Sequence, residues 1–295
     1  MDSLAQADDP NLRLSLIRGF ELRSGSFAVP MAFSAQRLMA FVALQDGVVR
    51  RSHASGMLWA NVTEQRASSS LRSALWRTPS PGGRPLIQAS STHLRLSPAV
   101  KVDFRETVSL AVSVLDHEDG LGGTDDLRDQ LRQLGHDLLP DWYEDWVLVE
   151  RERYRQLRLH ALEAVCHRLT DLGRYALALD AGLAAVACEP LRESAQREVI
   201  RVHLAEGNTA EALRQYRSYA HLLSKELGAR PSASLHRLLS EASSGDVAGR
   251  ISDAEVTGEG VEVSHGRAGV RVVNPDPEGV AHRGRTPASA ADRAG

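Results

Sequence analysis

Apolar and polar residues alternate through Leu12-Arg13-Leu14-Ser15-Leu16-Ile17, the period of a half-buried strand. Phe20–Leu22 and Phe27–Val29 read as further short strands, with Gly19 and Ser24-Gly25 as turns. Pro30 ends the sheet pattern. The period then becomes helical. Ser34 is the expected N-cap of a helix to about Leu44, whose apolar side holds Leu38, Phe41, Val42 and Leu44, and Asp46-Gly47 is its stop. A second helix is predicted over about Ser52–Trp59 and a third over about Glu64–Arg77, ended by Pro79, Pro81, Gly82 and Gly83. Two strand-like runs follow, Leu86–Ala89 and His93–Leu96, joined by Ser90-Ser91-Thr92, and Val100–Val102 adds a last strand. Strands, three helices and a hairpin in this order predict a helix-turn-helix with a wing.

The middle of the chain is helical and repetitive. Leu172-Gly173-Arg174-Tyr175-Ala176-Leu177-Ala178-Leu179 aligns with Glu206-Gly207-Asn208-Thr209-Ala210-Glu211-Ala212-Leu213 at a shift of 34 residues. That period, with Gly between helices and Ala at a tight crossing, is the tetratricopeptide pattern. The repeats are expected at about Arg158–Leu191 and Arg192–Lys225, after an amphipathic helix around Trp146–Leu157, with Ser234–Leu239 capping the stack. Such stacks expose a concave face suited to peptides or proteins. Cys166 and Cys188 fall on these helices as small core residues, and two cysteines fit a reducing cytosol better than a disulfide scaffold.

Composition divides the chain further. Asp119–Thr124, with three glycines, marks a flexible boundary. From about Ser243 the periodicity ends in Gly, Ala, Asp, Pro and Arg, a composition that cannot bury enough apolar surface to offset its ordering entropy. The expected organisation is a winged helix-turn-helix DNA-binding domain at 12–107, a tetratricopeptide-like domain at 124–242 and a disordered tail at 243–295. The class is mainly α with a small β component. The net charge of −3 hides an asymmetry: residues 1–107 hold 13 basic and 8 acidic side chains, residues 108–245 hold 16 and 22. A basic front and an acidic middle suggest different partners. No run of 18 apolar residues suggests a membrane span, and the polar start Met1–Asn11 does not read as a secretory signal, so a cytoplasmic protein is expected.

Chemistry-bearing motifs are missing. Lys101 precedes Val102 and Lys225 precedes Glu226, so neither completes a phosphate-cradling G-x-x-x-x-G-K-[ST] loop. There is no H-E-x-x-H and no G-x-S-x-G, and His160 and Cys166-His167 lack zinc spacing. Asp125-Asp126 reads as helix-start chemistry and Glu150–Arg153 as a solvated helix face. No enzyme, cofactor or metal is expected.

The third helix carries the candidate site. Ala67, Leu71, Ala74 and Leu75 share its inner face, while Gln65, Ser69, Arg72, Ser73 and Trp76 lie opposite with Arg66 at the edge. Arg pairs bidentately with guanine and Gln with adenine; Ser reads bases less selectively. Arg66, Ser69, Arg72 and Ser73 are assigned to bases, and Arg50, Arg51, Arg77 and Arg95 to phosphates, with Arg84 and His93 available to the wing. Trp76 is expected to pack beneath the wing or against the second domain.

Two stretches resemble the bacterial transcriptional activator domain of the antibiotic-regulatory SARP family of actinobacteria. They are Asp137-Leu138-Leu139-Pro140-Asp141-Trp142, with Trp146-Val147 and Glu150-Arg151-Glu152-Arg153-Tyr154, and Glu226-Leu227-Gly228-Ala229-Arg230-Pro231-Ser232. Leu71-Arg72-Ser73-Ala74-Leu75-Trp76-Arg77 and Thr92-His93-Leu94-Arg95-Leu96 resemble that family's DNA-binding domain. The resemblance implies a response-regulator-type winged helix, double-stranded DNA with repeated promoter sites as target, homodimers on DNA, recruitment of RNA polymerase and control of a secondary-metabolite pathway. Ser68-Ser69-Ser70 departs from the family's larger side chains in the third helix. The reading from another class is a helical-repeat adaptor whose winged helix makes only protein contacts.

Overall fold

In a computed structural model the described residues are 11–116 and 131–241. The Gly-rich boundary at 119–124, Asp125-Asp126 and the tail at 243–295 lie outside them. The chain starts in a four-stranded sheet. β1 (Leu12–Ser15) pairs antiparallel with β2 (Glu21–Ser24), which pairs with β3 (Phe27–Ala28). The other edge of β1 takes β7 (Val100–Val102) in parallel, Leu12 opposite Val100. Leu12 and Leu14 face inward and Arg13 outward, as the alternation requires.

Three helices follow: α1 (Phe33–Leu44), α2 (Arg51–Leu58) and α3 (Glu64–Trp76). The cap of α1 is Ala32, with no side-chain hydrogen bond, so Ser34 is inside the helix rather than at its start. The helix starts two residues earlier than a polar cap implies, because Ala32 already holds extended backbone and Phe33 can begin the helix. The wing is β5 (Ile87–Ala89) and β6 (His93–Leu96). The sequence reading missed a strand: β4 (Val48–Arg50) pairs with β6, Arg50 opposite His93. Three residues give too short a pattern to see, and the partner lies more than 40 residues away.

The rest is helical: α4 (Asp103–Asp116), α5 (Asp145–Asp171), α6 (Tyr175–Cys188), α7 (Glu193–Ala205) and α8 (Thr209–Leu227), with residues 233–241 also helical. The amphipathic stretch at Trp146–Leu157 is not a separate helix. It runs unbroken into the first repeat as the 27-residue α5, about 40 Å long at 1.5 Å per residue. Its buried face changes partner midway, which is why two patterns meet there. Gly173 and Gly207 both adopt left-handed backbone (φ +69° and +83°), turning α5 into α6 and α7 into α8 one period apart. Ala178 and Ala212 are fully buried at matching positions. A further close approach is at Gly182, where a Cβ would come within 2.9 Å of Val199 and 3.0 Å of Cys166. Burial there pushes the Cys166 thiol up to about 12.

The two parts share one core. Leu138, Leu139, Trp146, Val147 and Tyr154 are buried in the same cluster as Leu14, Phe41 and Leu94. Leu139 N–H donates to the Leu16 carbonyl and Arg18 N–H to that of Asp137, both at 2.9 Å. Asp103, at the start of α4, accepts from the backbone of Leu16 at 2.8 Å. Trp142 stacks on Phe20, and Trp146 meets Phe41 edge-on. The resembling motif around Asp137–Trp146 is therefore the mortise of the winged helix. Within Glu150–Arg153, Glu150 and Arg153 do pair on the surface, but Arg151 does not belong to a solvated face. Its guanidinium donates to the carbonyls of Leu138, Leu139 and Trp142 and so ties the loop before α5 to the helix.

Candidate nucleic-acid interface

The inner face of α3 is set by Ala67, Leu71 and Ala74, all buried against α1 and α2. At 100° per residue the opposite side is then fixed: Gln65, Arg66, Ser69, Arg72, Ser73 and Arg77 are all exposed. The structure therefore brings six of the nine sequence-assigned residues onto one helix and its C-cap. The other three stand on the neighbouring wing and the start of α2. Arg50 and Arg95 project from the outer face of the β4–β6–β5 sheet beside His93, and Arg51 begins α2.

Local hydrogen bonds tune this face. The Ser69 hydroxyl donates to the Gln65 carbonyl at 3.0 Å, and the Ser73 hydroxyl to the Ser69 carbonyl at 3.1 Å. Each hydroxyl spends its proton on its own helix and presents lone pairs outward. Arg72 Nη2 donates to Ser69 Oγ at 2.9 Å, which braces the guanidinium and leaves most of its donors directed away from the helix. The Ser-rich stretch thus acts as a support for Arg72, with Ser68 and Ser70 half-buried beside it.

Arg51 has a second task. Its backbone N–H donates to the Thr92 carbonyl at 2.9 Å and its Nη1 to that of Ser90 at 3.0 Å, tying α2 to the wing turn. Ser90 Oγ accepts from the backbone of His93 at 3.0 Å and closes the turn. Between the turn and α2 lies an open cleft of about 450 Å³ lined by Arg50, Arg51, Ser52, Ser91, Thr92 and His93. The guanidinium groups of Arg50 and Arg51 border it, a setting suited to a phosphate oxygen.

The electrostatics are one-sided. Residues 47–102 carry eight Arg and Lys side chains and a single carboxylate, Glu64. Glu64 sits in the first turn of α3, where it complements the helix dipole. Among the described residues, Arg50, Arg51, Arg66, Arg72, Arg77 and Arg95 make no ion pair.

Trp76 is a correction. It is 86% exposed and packs under neither the wing nor the helical part. Ala74 takes the inward position and Leu75 packs on the core, so the next residue is carried round to the open side.

The sequence reading also missed what holds the helix-turn-helix in place. Arg37 on α1 clamps Glu144 through Nε at 2.7 Å and Nη2 at 2.8 Å, and Nη2 reaches the Leu58 carbonyl at the end of α2 at 2.6 Å. Trp146 Nε1 donates to the same carboxylate at 2.6 Å, and the Arg37 guanidinium lies 5.8 Å over the Trp59 ring. Arg37 and Glu144 are 107 positions apart, so no local pattern announces them.

Among the described residues no group of three or more His, Cys, Asp or Glu is placed to hold a metal ion, and no helix is long and apolar enough to cross a membrane.

Comparison with known proteins bears on the whole arrangement. Residues 102–242 match the Bacterial transcriptional activator domain. No curated protein matches the chain. The structure of Mycobacterium tuberculosis EmbR in complex with a low affinity phosphopeptide is similar in fold. Its TM-score is 0.57 at 16% identity, over 79% of this chain and 65% of that one. This chain therefore spans less than two thirds of that protein's length, and the likeness is one of fold.

Proposed function

We infer that the chain, whose architecture is that of a SARP-type transcriptional regulator with a winged helix joined to a bacterial transcriptional activator domain, is a sequence-specific DNA-binding activator. The architecture is that of a regulator and not of a catalyst. In this reading α3 enters the major groove of double-stranded DNA, where a helix fits. Arg72, Arg66, Ser69, Ser73 and Gln65 face base edges. Ser69 and Ser73, as acceptors, suit the amino groups of adenine or cytosine. Arg50, Arg51, Arg77 and Arg95 hold the backbone on either side of the groove. The helical repeats contact RNA polymerase or a second copy of the chain, and repeated promoter sites are the expected target.

The observation that carries this reading is the set of six exposed or half-exposed arginines without a carboxylate, gathered on one helix and the adjoining wing. Like charges so placed repel one another, and a polyanion relieves that cost. The test is selection of the full chain against a genomic fragment library. Enrichment of a motif recurring at helical-turn spacing is expected. If the folded protein enriches no sequence, the adaptor reading takes its place, and a protein partner of residues 124–242 becomes the next search.

A further inference from the structure

We propose that Trp76 is a non-ionic DNA contact, its indole packing on deoxyribose at the rim of the major groove; this rests on the DNA-binding reading above. Three of the four tryptophans, Trp59, Trp142 and Trp146, pack on the core. Trp76 alone projects into solvent, at the C-terminal end of the face that carries Gln65, Ser69, Arg72 and Ser73. An indole left in water forgoes its burial energy, and no other large apolar side chain on α3 is exposed to form a patch with it. The exposed side chains nearest it on the same helix are Arg72, Ser73 and Arg77. Cations and hydroxyls around one apolar ring suit a polyanion that also offers apolar faces, as a sugar-phosphate backbone does.

Geometry says which part of DNA it meets. Gln65 and Trp76 are eleven residues apart on one face, about 16 Å at 1.5 Å per residue. The major groove is only about 12 Å wide. When the first turns of α3 lie over base edges, the last turn overhangs the groove wall. There the indole meets sugar rather than bases, and Arg77 beside it meets phosphate. The contact is therefore blind to sequence and carries no charge, unlike those of Arg72 or Arg95.

The experiment uses the full chain and the duplex enriched by selection, with an unrelated duplex as control. Trp76→Phe assigns the emission of this residue, and Trp76→Ala removes the ring. DNA is expected to shift or quench the Trp76 emission and shield it from acrylamide. Trp76→Ala should weaken both duplexes by about tenfold, as loss of one aromatic contact does. The ratio between the duplexes and the log–log salt slope should both stay as in the wild type, since no charge is lost. Melting should be unchanged, because the side chain is exposed. If the wild type binds its selected duplex while Trp76 emission and Trp76→Ala affinity stay the same, the proposal fails and the DNA-binding reading stands. If Trp76→Ala collapses the ratio between duplexes, the residue reads bases and the rim assignment is wrong. If the wild type binds no duplex, both fall.

Discussion

Several arginines in the helical half are matched to carboxylates: Arg192 meets Glu163 at 2.7 Å, Arg197 meets Glu193 at 3.2 Å, and Arg158, 2% exposed over its whole residue, meets Asp137. In the winged helix, Arg50, Arg66, Arg72, Arg77 and Arg95 stand in solvent with no such partner. The same residue type does different work in the two halves. In the first it joins helices and neutralises itself within the fold. On α3 and the wing it is unspent, and the fold carries the repulsion. The two halves nevertheless share a core, so a charged surface that adds little to stability is held rigid by a neighbour that is well paired. The seam residues Arg37, Glu144 and Trp146 are where that support is delivered.

The contrast predicts that substitutions in the two halves separate stability from binding. The largest effect on stability is expected at the seam. Trp146→Ala removes a buried ring that packs on Phe41 and bonds Glu144, and should cost about 3–5 kcal/mol. Urea unfolding followed by far-UV dichroism measures it, and both halves should unfold in one transition. Two separate transitions would break the shared-core account. Within the repeats, Gly182→Ala forces a Cβ against Val199 and Cys166 and should cost about 1–3 kcal/mol, with DNA affinity altered only through the folded fraction.

Arg72→Ala should do the reverse. Stability should move by no more than about 0.5 kcal/mol in thermal melts, while binding to a selected duplex weakens by about 1–3 kcal/mol and selectivity relaxes. Unchanged affinity would remove Arg72 from the reading face. Arg95→Ala should weaken all duplexes alike and lower the salt slope by about 1. The smallest effect is expected for Arg153→Ala in the helical half. Its pair with Glu150 is surface-exposed, and both stability and binding should stay within about 0.5 kcal/mol.

Much of this arrangement was legible in the residues. The shift of 34 between Gly173 and Gly207 reports a local requirement, a left-handed turn between helices, and such requirements leave marks in sequence. The inner face of α3 was readable for the same reason, since Ala67, Leu71 and Ala74 recur at helical spacing. What escaped depends on pairing across distance. β4 exists because β6 offers it an edge, and its three residues hold no period. Arg37 and Glu144 look like ordinary surface charges until the fold joins them. Arg151 sits in a charged run, but its partners are loop carbonyls. Trp76 misled for another reason: hydrophobicity argues for burial, and here position on the helix decided against it. The serines at 68–70 looked like a weak reading surface, whereas Ser69 braces the one side chain best suited to read guanine.

The most direct test of the contrast between spent and unspent arginines is a salt titration of the full chain on its selected duplex. The wild type is compared with Arg50→Ala/Arg95→Ala and with Arg153→Ala/Arg214→Ala. Both doubles remove two positive charges, the first from unpaired sites and the second from sites paired to Glu150 and Glu211. The account predicts that the log–log slope falls by about 2 in the first and stays at the wild-type value in the second. Equal slopes for the two doubles would contradict it, because the winged helix would then owe its affinity to overall charge rather than to arginines the fold has left free.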